Sequence, residues 1–234
     1  MEWSRSVDIY CERTDPSFWA EPVNAISNAA FLIAALIVFI QWRRANGRDL
    51  PLLALIALTF VIGIGSFIFH TVATQGAELF DTVPIAVFIY AYLFLALRRF
   101  LGLRPWTALG LWVGFAAFTF GEAALVPADT LNGSHAYLPA LAATLIVGWF
   151  ARDRAARPLI LAAGGTLAGS LFFRGIDMAV CSSFPLGTHF IWHCLNAVVL
   201  YLLLRAGLIG QMRSFPYTHR REAKAALSWR SRNR

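Results

Sequence analysis

Stretches of about 20 largely apolar residues follow one another along this chain, at about 23–42, 50–71, 80–98, 105–126, 136–151, 157–175 and 186–208. A helix needs about 20 such residues to cross roughly 30 Å of hydrocarbon, and a backbone in lipid must satisfy its own hydrogen bonds. These runs predict an all-α fold, a seven-transmembrane helix bundle. The composition agrees: 58% of the 234 residues are hydrophobic and 14% charged, against roughly 25% charged in soluble domains. The fifth run is short and the sixth carries Gly164-Gly165, so their ends are the least fixed. No linker or low-complexity tract divides the chain. The expected organisation is an outer N-terminal segment 1–22, a transmembrane domain 23–208 and a basic cytoplasmic tail 209–234. Met1 to Arg5 hold no apolar core of a cleavable signal, so the first span is expected to do the targeting.

The positive charges set the expected orientation, because short cytoplasmic loops keep Lys and Arg. With the N-terminus outside and the C-terminus cytoplasmic, the cytoplasmic segments hold Arg43, Arg44, Arg48, Arg98, Arg99, Arg104, Arg152, Arg154, Arg157 and every basic residue from Arg205 onward. That is 17 of 20 basic residues. Only Arg5, Arg13 and Arg174 remain for the outer face. The basic balance is thus a product of topology, and no nucleic-acid partner is expected. Acids lie oppositely: Glu2, Asp8, Glu12, Asp15, Glu21, Glu78, Asp81, Asp129 and Asp177 fall in or near outer segments, with Glu122 in the outer half of the fourth span.

Cys11 precedes the first span and Cys181 the seventh, which puts both on the outer face, where disulfides form. A bridge between them is favoured over two free thiols. Cys194 lies within a span and reads as a small core residue.

His135 and His219 fall in an outer loop and the tail, and read as solvated. The other histidines lie in spans, where ionisable groups are costly and need partners. His70 ends the second run; His189 and His193 open the seventh, four residues apart and so on one helix face. This is also the spacing at which zinc sites draw two imidazoles from one helix. With alternating helix direction, all three meet at one depth. Ser66 is four residues before His70, and Asp81 opens the third span. Three histidines with an open position form a hydrolytic zinc set, whose bound water a nearby carboxylate can deprotonate. The alternative is a buried structural cluster of hydrogen-bonded imidazoles.

The pattern Glu21-x-x-Asn24-x-x-Ser27-Asn28, Ser66-x-x-x-His70 with Asp81 downstream, and His189-x-x-x-His193 around Trp192 resembles the alkaline ceramidases. These are seven-helix membrane hydrolases grouped with the progestin and adipoQ receptors. The resemblance runs from Cys11 to about Leu204. It implies Zn2+ held by His70, His189 and His193, with Asp81 as general acid/base and Ser66 as a hydrogen-bonding partner at the reacting water or oxyanion. It also implies a Cys11–Cys181 disulfide and a substrate cavity lined by Trp192, which is equally readable as an interfacial anchor. The family's Ca2+ site transfers poorly. Glu12 and Glu21 remain as candidate ligands, with Asp8 or Asp15 as substitutes, but two oxygen ligands are missing and Arg13 adds an opposing charge.

The activity implied is hydrolysis of the amide bond of a membrane lipid, ceramide or a related N-acyl lipid, to a fatty acid and a sphingoid-type base. The lipid enters sideways from the outer leaflet into a slot for which Phe67, Phe69, Phe80, Phe88 and Phe190 are candidates. One alternative is a seven-helix lipid-ligand receptor with a weak or vestigial hydrolase site; Asp81 and Ser66 beside the histidines argue against it. A proton or metal transporter ranks last, because the inner half of the bundle is almost wholly apolar. The expected location is a bacterial inner membrane, with the site near its periplasmic face.

Overall fold

The computed structural model describes residues 2–45 and 47–214, the side chains of 211–214 excepted. Its α-helices are α1 (Pro22–Ser27), α2 (Ala29–Arg44), α3 (Leu50–Val72), α4 (Gln75–Arg99), α5 (Pro105–Leu125), α6 (Leu138–Phe150), α7 (Arg157–Ile176) and α8 (His189–Ser214). The expected tail 209–234 lies outside the described residues beyond Ser214, and His219 with it. Among the described residues there is no strand; the segment before α1 touches the α3–α4 turn through one bridge, Ser6 to Thr74.

Six lengths are long and apolar enough to cross a membrane: Pro22–Arg44, which joins α1 to α2, then α3, α4, α5, α7 and His189–Gly210 of α8. The chain is a multi-pass membrane protein. The fifth apolar run is where the seventh length is missing. Thr130–Tyr137 forms a tight 3-10 turn, with Leu131, Asn132 and Gly133 at positive φ. What remains is α6, 13 residues and therefore roughly 20 Å long at 1.5 Å per residue. The third run also differs from expectation. α4 begins at Gln75 and not near residue 80, because Thr74 caps it by accepting from Ala77 N. A capped polar first turn is invisible to a hydropathy window. Asp81 consequently sits in the second turn of α4, not at its start.

The helices close into a ring in the order α2, α3, α4, α6, α7, α8, while α5 packs chiefly on α4. Nearly all of α5 faces outward; Ala108 is its one buried residue, and Phe118, Phe120 and Leu125 are exposed. Such a face suits lipid. Arginines gather at one end of the bundle, in the last turns of α2 and α4 and at the start of α7; the histidine-bearing helix ends lie at the other.

Two residues expected elsewhere move. Cys194 is exposed and free rather than in the core, since its side of α8 faces away from the ring. His135 is buried, with Nδ1 donating to Thr130 O at 3.0 Å and Nε2 3.5 Å from Glu122. The positive-φ turn folds it back under the loop, out of the solvent expected for a histidine there.

Cys11 and Cys181 form a disulfide with Cα atoms 5.5 Å apart. It ties the segment before α1 to the loop between α7 and α8. Replacing either cysteine by serine is expected to lower stability by about 2–5 kcal/mol, read as a lower midpoint in thermal unfolding of detergent-solubilised protein. An unchanged midpoint would show that hydrogen bonds alone hold the segment down.

Candidate metal centre

Two helices, α3 and α8, bring the histidines together. His70 lies in the last turn of α3, and α3 stops there because Ala73 adopts a left-handed conformation (φ 47°). His189 and His193 lie one turn apart in the first two turns of α8. The start of α8 is fixed by Asp177, a fully buried carboxylate that accepts from Thr188 N at 2.6 Å and His189 N at 2.9 Å. It is a helix cap supplied from twelve residues upstream. The same carboxylate accepts from Cys11 N at 3.0 Å.

Each imidazole offers a nitrogen within 4.8 Å of the other two, and all three rings are buried at 0–2% exposure. Outer partners fix which nitrogen carries the proton in two of them. His70 Nδ1 is 2.6 Å from Glu21 Oε2, so it donates to the carboxylate; His70 Nε2 is then a bare acceptor, buried with no partner. Ser27 has one hydroxyl proton, which goes to Asn24 O at 2.7 Å. The 2.7 Å contact between Ser27 Oγ and His193 Nδ1 must therefore carry a proton from the ring, which leaves Nε2 with its lone pair. His189 is stacked on Tyr10 at 3.6 Å between ring centroids, and its Nδ1 also lacks a partner. Buried polar atoms without partners are rare. Imidazoles held in one tautomer by a carboxylate or hydroxyl are the usual surround of a metal, so this donor set fits a single ion such as zinc.

Ser66 and Asp81 stand beside the cluster. Ser66 is one turn below His70 on α3, its hydroxyl against the Asp81 carboxyl, whose Oδ1 is buried and unpartnered. The two helices meet there through Gly65: a Cβ on it would lie 1.9 Å from Phe80 O. Close backbone approach of this kind needs glycine.

Ser66, Asp81, His193 and Trp192 form the polar head of a mainly apolar cavity that runs down between α3, α4, α6, α7 and α8, with Thr144 and Asn196 also in its lining. Its lining follows α4 from Asp81 to Ala96, roughly 22 Å at 1.5 Å per residue. The expected aromatic slot is mostly wrong. Phe88 lines the cavity, joined by Phe31 and Phe115, but Phe67 and Phe80 are exposed and Phe69 packs on Tyr10. Phe190 is partly exposed and does not line it either. Helical phase, not proximity in sequence, decides which ring points inward.

A family model described as Ceramidase matches residues 10–233. The chain belongs to the ceramidase family. Membership implies an amide hydrolase with a lipid ceramide substrate. No curated protein matches the chain.

The expected calcium ligands do not fit calcium in this chain. Glu12 accepts from Val23 N at 2.7 Å and Asn24 N at 2.8 Å, capping α1; burial pushes its pKa up. Glu21 bonds His70, Arg13 and Asn24. Burial works to raise the Glu21 pKa, but these partners outweigh it and hold the group below the ordinary glutamate range. Asp8 and Asp15 are exposed, and the Asp15 carboxylate accepts from Ser17 N. Calcium takes 6–8 oxygens, and no such set converges on these carboxylates among the described residues.

Proposed function

We propose that this ceramidase-family chain is a zinc-dependent intramembrane lipid amide hydrolase that releases a fatty acid and a sphingoid-type base. The observation that carries the reading is a cluster of three buried imidazoles beside a carboxyl with one unpartnered oxygen, with His193 and Asp81 lining the head of a mainly apolar cavity. His70, His189 and His193 would hold the ion, with Glu21 and Ser27 keeping His70 and His193 in the tautomer that presents a lone pair. Zinc, when bound, polarises an amide carbonyl and acidifies water to a pKa near 7.

The protein's own groups then handle the proton. Asp81 takes it from the attacking water and returns it to the leaving amine, so that one water adds across the C–N bond. Ser66 gives its one hydroxyl proton to that carboxyl in the resting site; once Asp81 has taken a proton, Ser66 accepts from it and turns its own proton to the oxygen on which charge develops. The cavity below receives the acyl chain and Trp192 packs beside the scissile bond. Tyr10 walls off His189 from above.

The topology proposed is seven spans with α6 as a short one, the N-terminus outside and the C-terminus cytoplasmic. The arginine-rich end of the bundle supports it. In a bacterial inner membrane this sets the site near the periplasmic face.

Purified protein incubated with a panel of N-acyl lipids is expected to release fatty acid from ceramide-like members and to lose that activity when a chelator strips the metal. His193→Ala is expected to lower metal content and activity together. Full turnover by metal-free protein would overturn the reading.

A further inference from the structure

Arg13 is a buried cation with no role in the chemistry above. Its side chain is 2% exposed and its ion-pair partner Glu21 is 3% exposed. The guanidinium donates to four oxygens and to nothing else the structure records: Glu21 Oε1 at 2.5 Å, Asp15 O at 3.2 Å, Ser17 O at 3.3 Å and His70 O at 3.1 Å. One acceptor is a carboxylate and three are backbone carbonyls, the ligand types that hard divalent cations take. His70 O also belongs to the C-terminal turn of α3, where the helix carries partial negative charge and leaves carbonyls unpaired. A positive charge is needed at this point, and the chain supplies it covalently.

The acceptors belong to three parts of the molecule: the loop after Cys11, the carboxylate just before α1, and the end of α3 at a candidate metal ligand. We propose that Arg13 is the resident cation of this cradle, standing where the family resemblance sets calcium, and that it holds Glu21 against His70 without any added divalent ion. Arg13 is thus a positioning residue. Its planar fork reaches Glu21 through Nε while Nη1 and Nη2 hold the carbonyls on either side. A lysine cannot reproduce this fork with a single nitrogen. The role assigned to His70 rests on the proposed function; the occupancy of the cradle does not.

The test uses the full-length protein in detergent, with two measurements that need no lipid substrate. Equilibrium dialysis against radioactive calcium is expected to find no saturable site in the wild type; one calcium per chain would overturn the proposal. Zinc affinity, measured by competition with a chromophoric chelator, is expected to fall about 10–100-fold in Arg13→Ala, the usual effect of losing support behind a ligand, and to recover in millimolar ethylguanidinium. Arg13→Lys keeps the charge and is expected to lie between Arg13→Ala and the wild type, and it carries the test by itself if Arg13→Ala does not fold. Wild-type zinc affinity in either variant would overturn the proposal. A wild-type protein that binds no transition metal would instead sink the proposed function, while the calcium measurement would still decide what fills the cradle.

Discussion

Asp81→Asn is expected to lower the turnover of lipid amide hydrolysis by about 10²–10⁴-fold, the usual contribution of a general acid–base group, with metal content and thermal stability near those of the wild type. The amide keeps the shape of the carboxylate and its contact with Ser66, but cannot take a proton from water. Asp81 is not among the residues whose nitrogens converge, so its loss leaves those donors in place. Zinc analysis, thermal unfolding and initial-rate kinetics on one preparation check the three parts. Wild-type turnover would make Asp81 a structural acid and move the lipid-ligand receptor ahead of the hydrolase.

Gly65→Ala is expected to have a comparably large effect through packing alone. An added Cβ would stand 1.9 Å from Phe80 O, a backbone atom that cannot rotate away, so α4 must retreat from α3 by roughly 1 Å or more. A displacement of that size at a catalytic group costs on the order of 10²-fold in rate, and overpacking typically costs about 1–3 kcal/mol of stability. Gly110→Ala is the control, because its Cβ would meet nothing within 4 Å and the variant is expected to behave as wild type. Hydrolysis by Gly65→Ala at the wild-type rate would show that α4 can tilt without moving Asp81.

The histidine cluster was legible because helix direction and a spacing of four put His189 and His193 on one face and at the depth of His70. The disulfide was legible for a similar reason, since alternating spans send Cys11 and Cys181 to the same end. Glu21, Asn24 and Ser27 were visible as a pattern but not in their roles. Nothing in the spacing tells that Glu21 reaches His70 or that Ser27 reaches His193, because these contacts cross between helices. Gly65 looked like any small residue in an apolar run, and Asp177 like one more acid in an outer loop. Hydropathy reads how a segment suits lipid; it cannot read which backbone approaches which, or which carbonyl a distant side chain will satisfy. The same blindness set α4 five residues late and assigned four phenylalanines to a slot that they do not line.

Cys11, Glu12 and Arg13 are consecutive, yet they fasten to the α7–α8 loop, the start of α1 and the end of α3 respectively. Because a chain emerges from its N-terminus, the Glu12 and Arg13 fastenings become possible once α3 has been made. That of Cys11 waits for a partner 170 residues later. His189 and His193 follow within a turn or two of that partner's loop. A nascent or truncated chain without α8 therefore holds only one of the three converging imidazoles, His70. Under the proposed function, acquisition of a metal is then coupled to the arrival of the final helix, and a half-built chain is expected to be catalytically silent in the membrane.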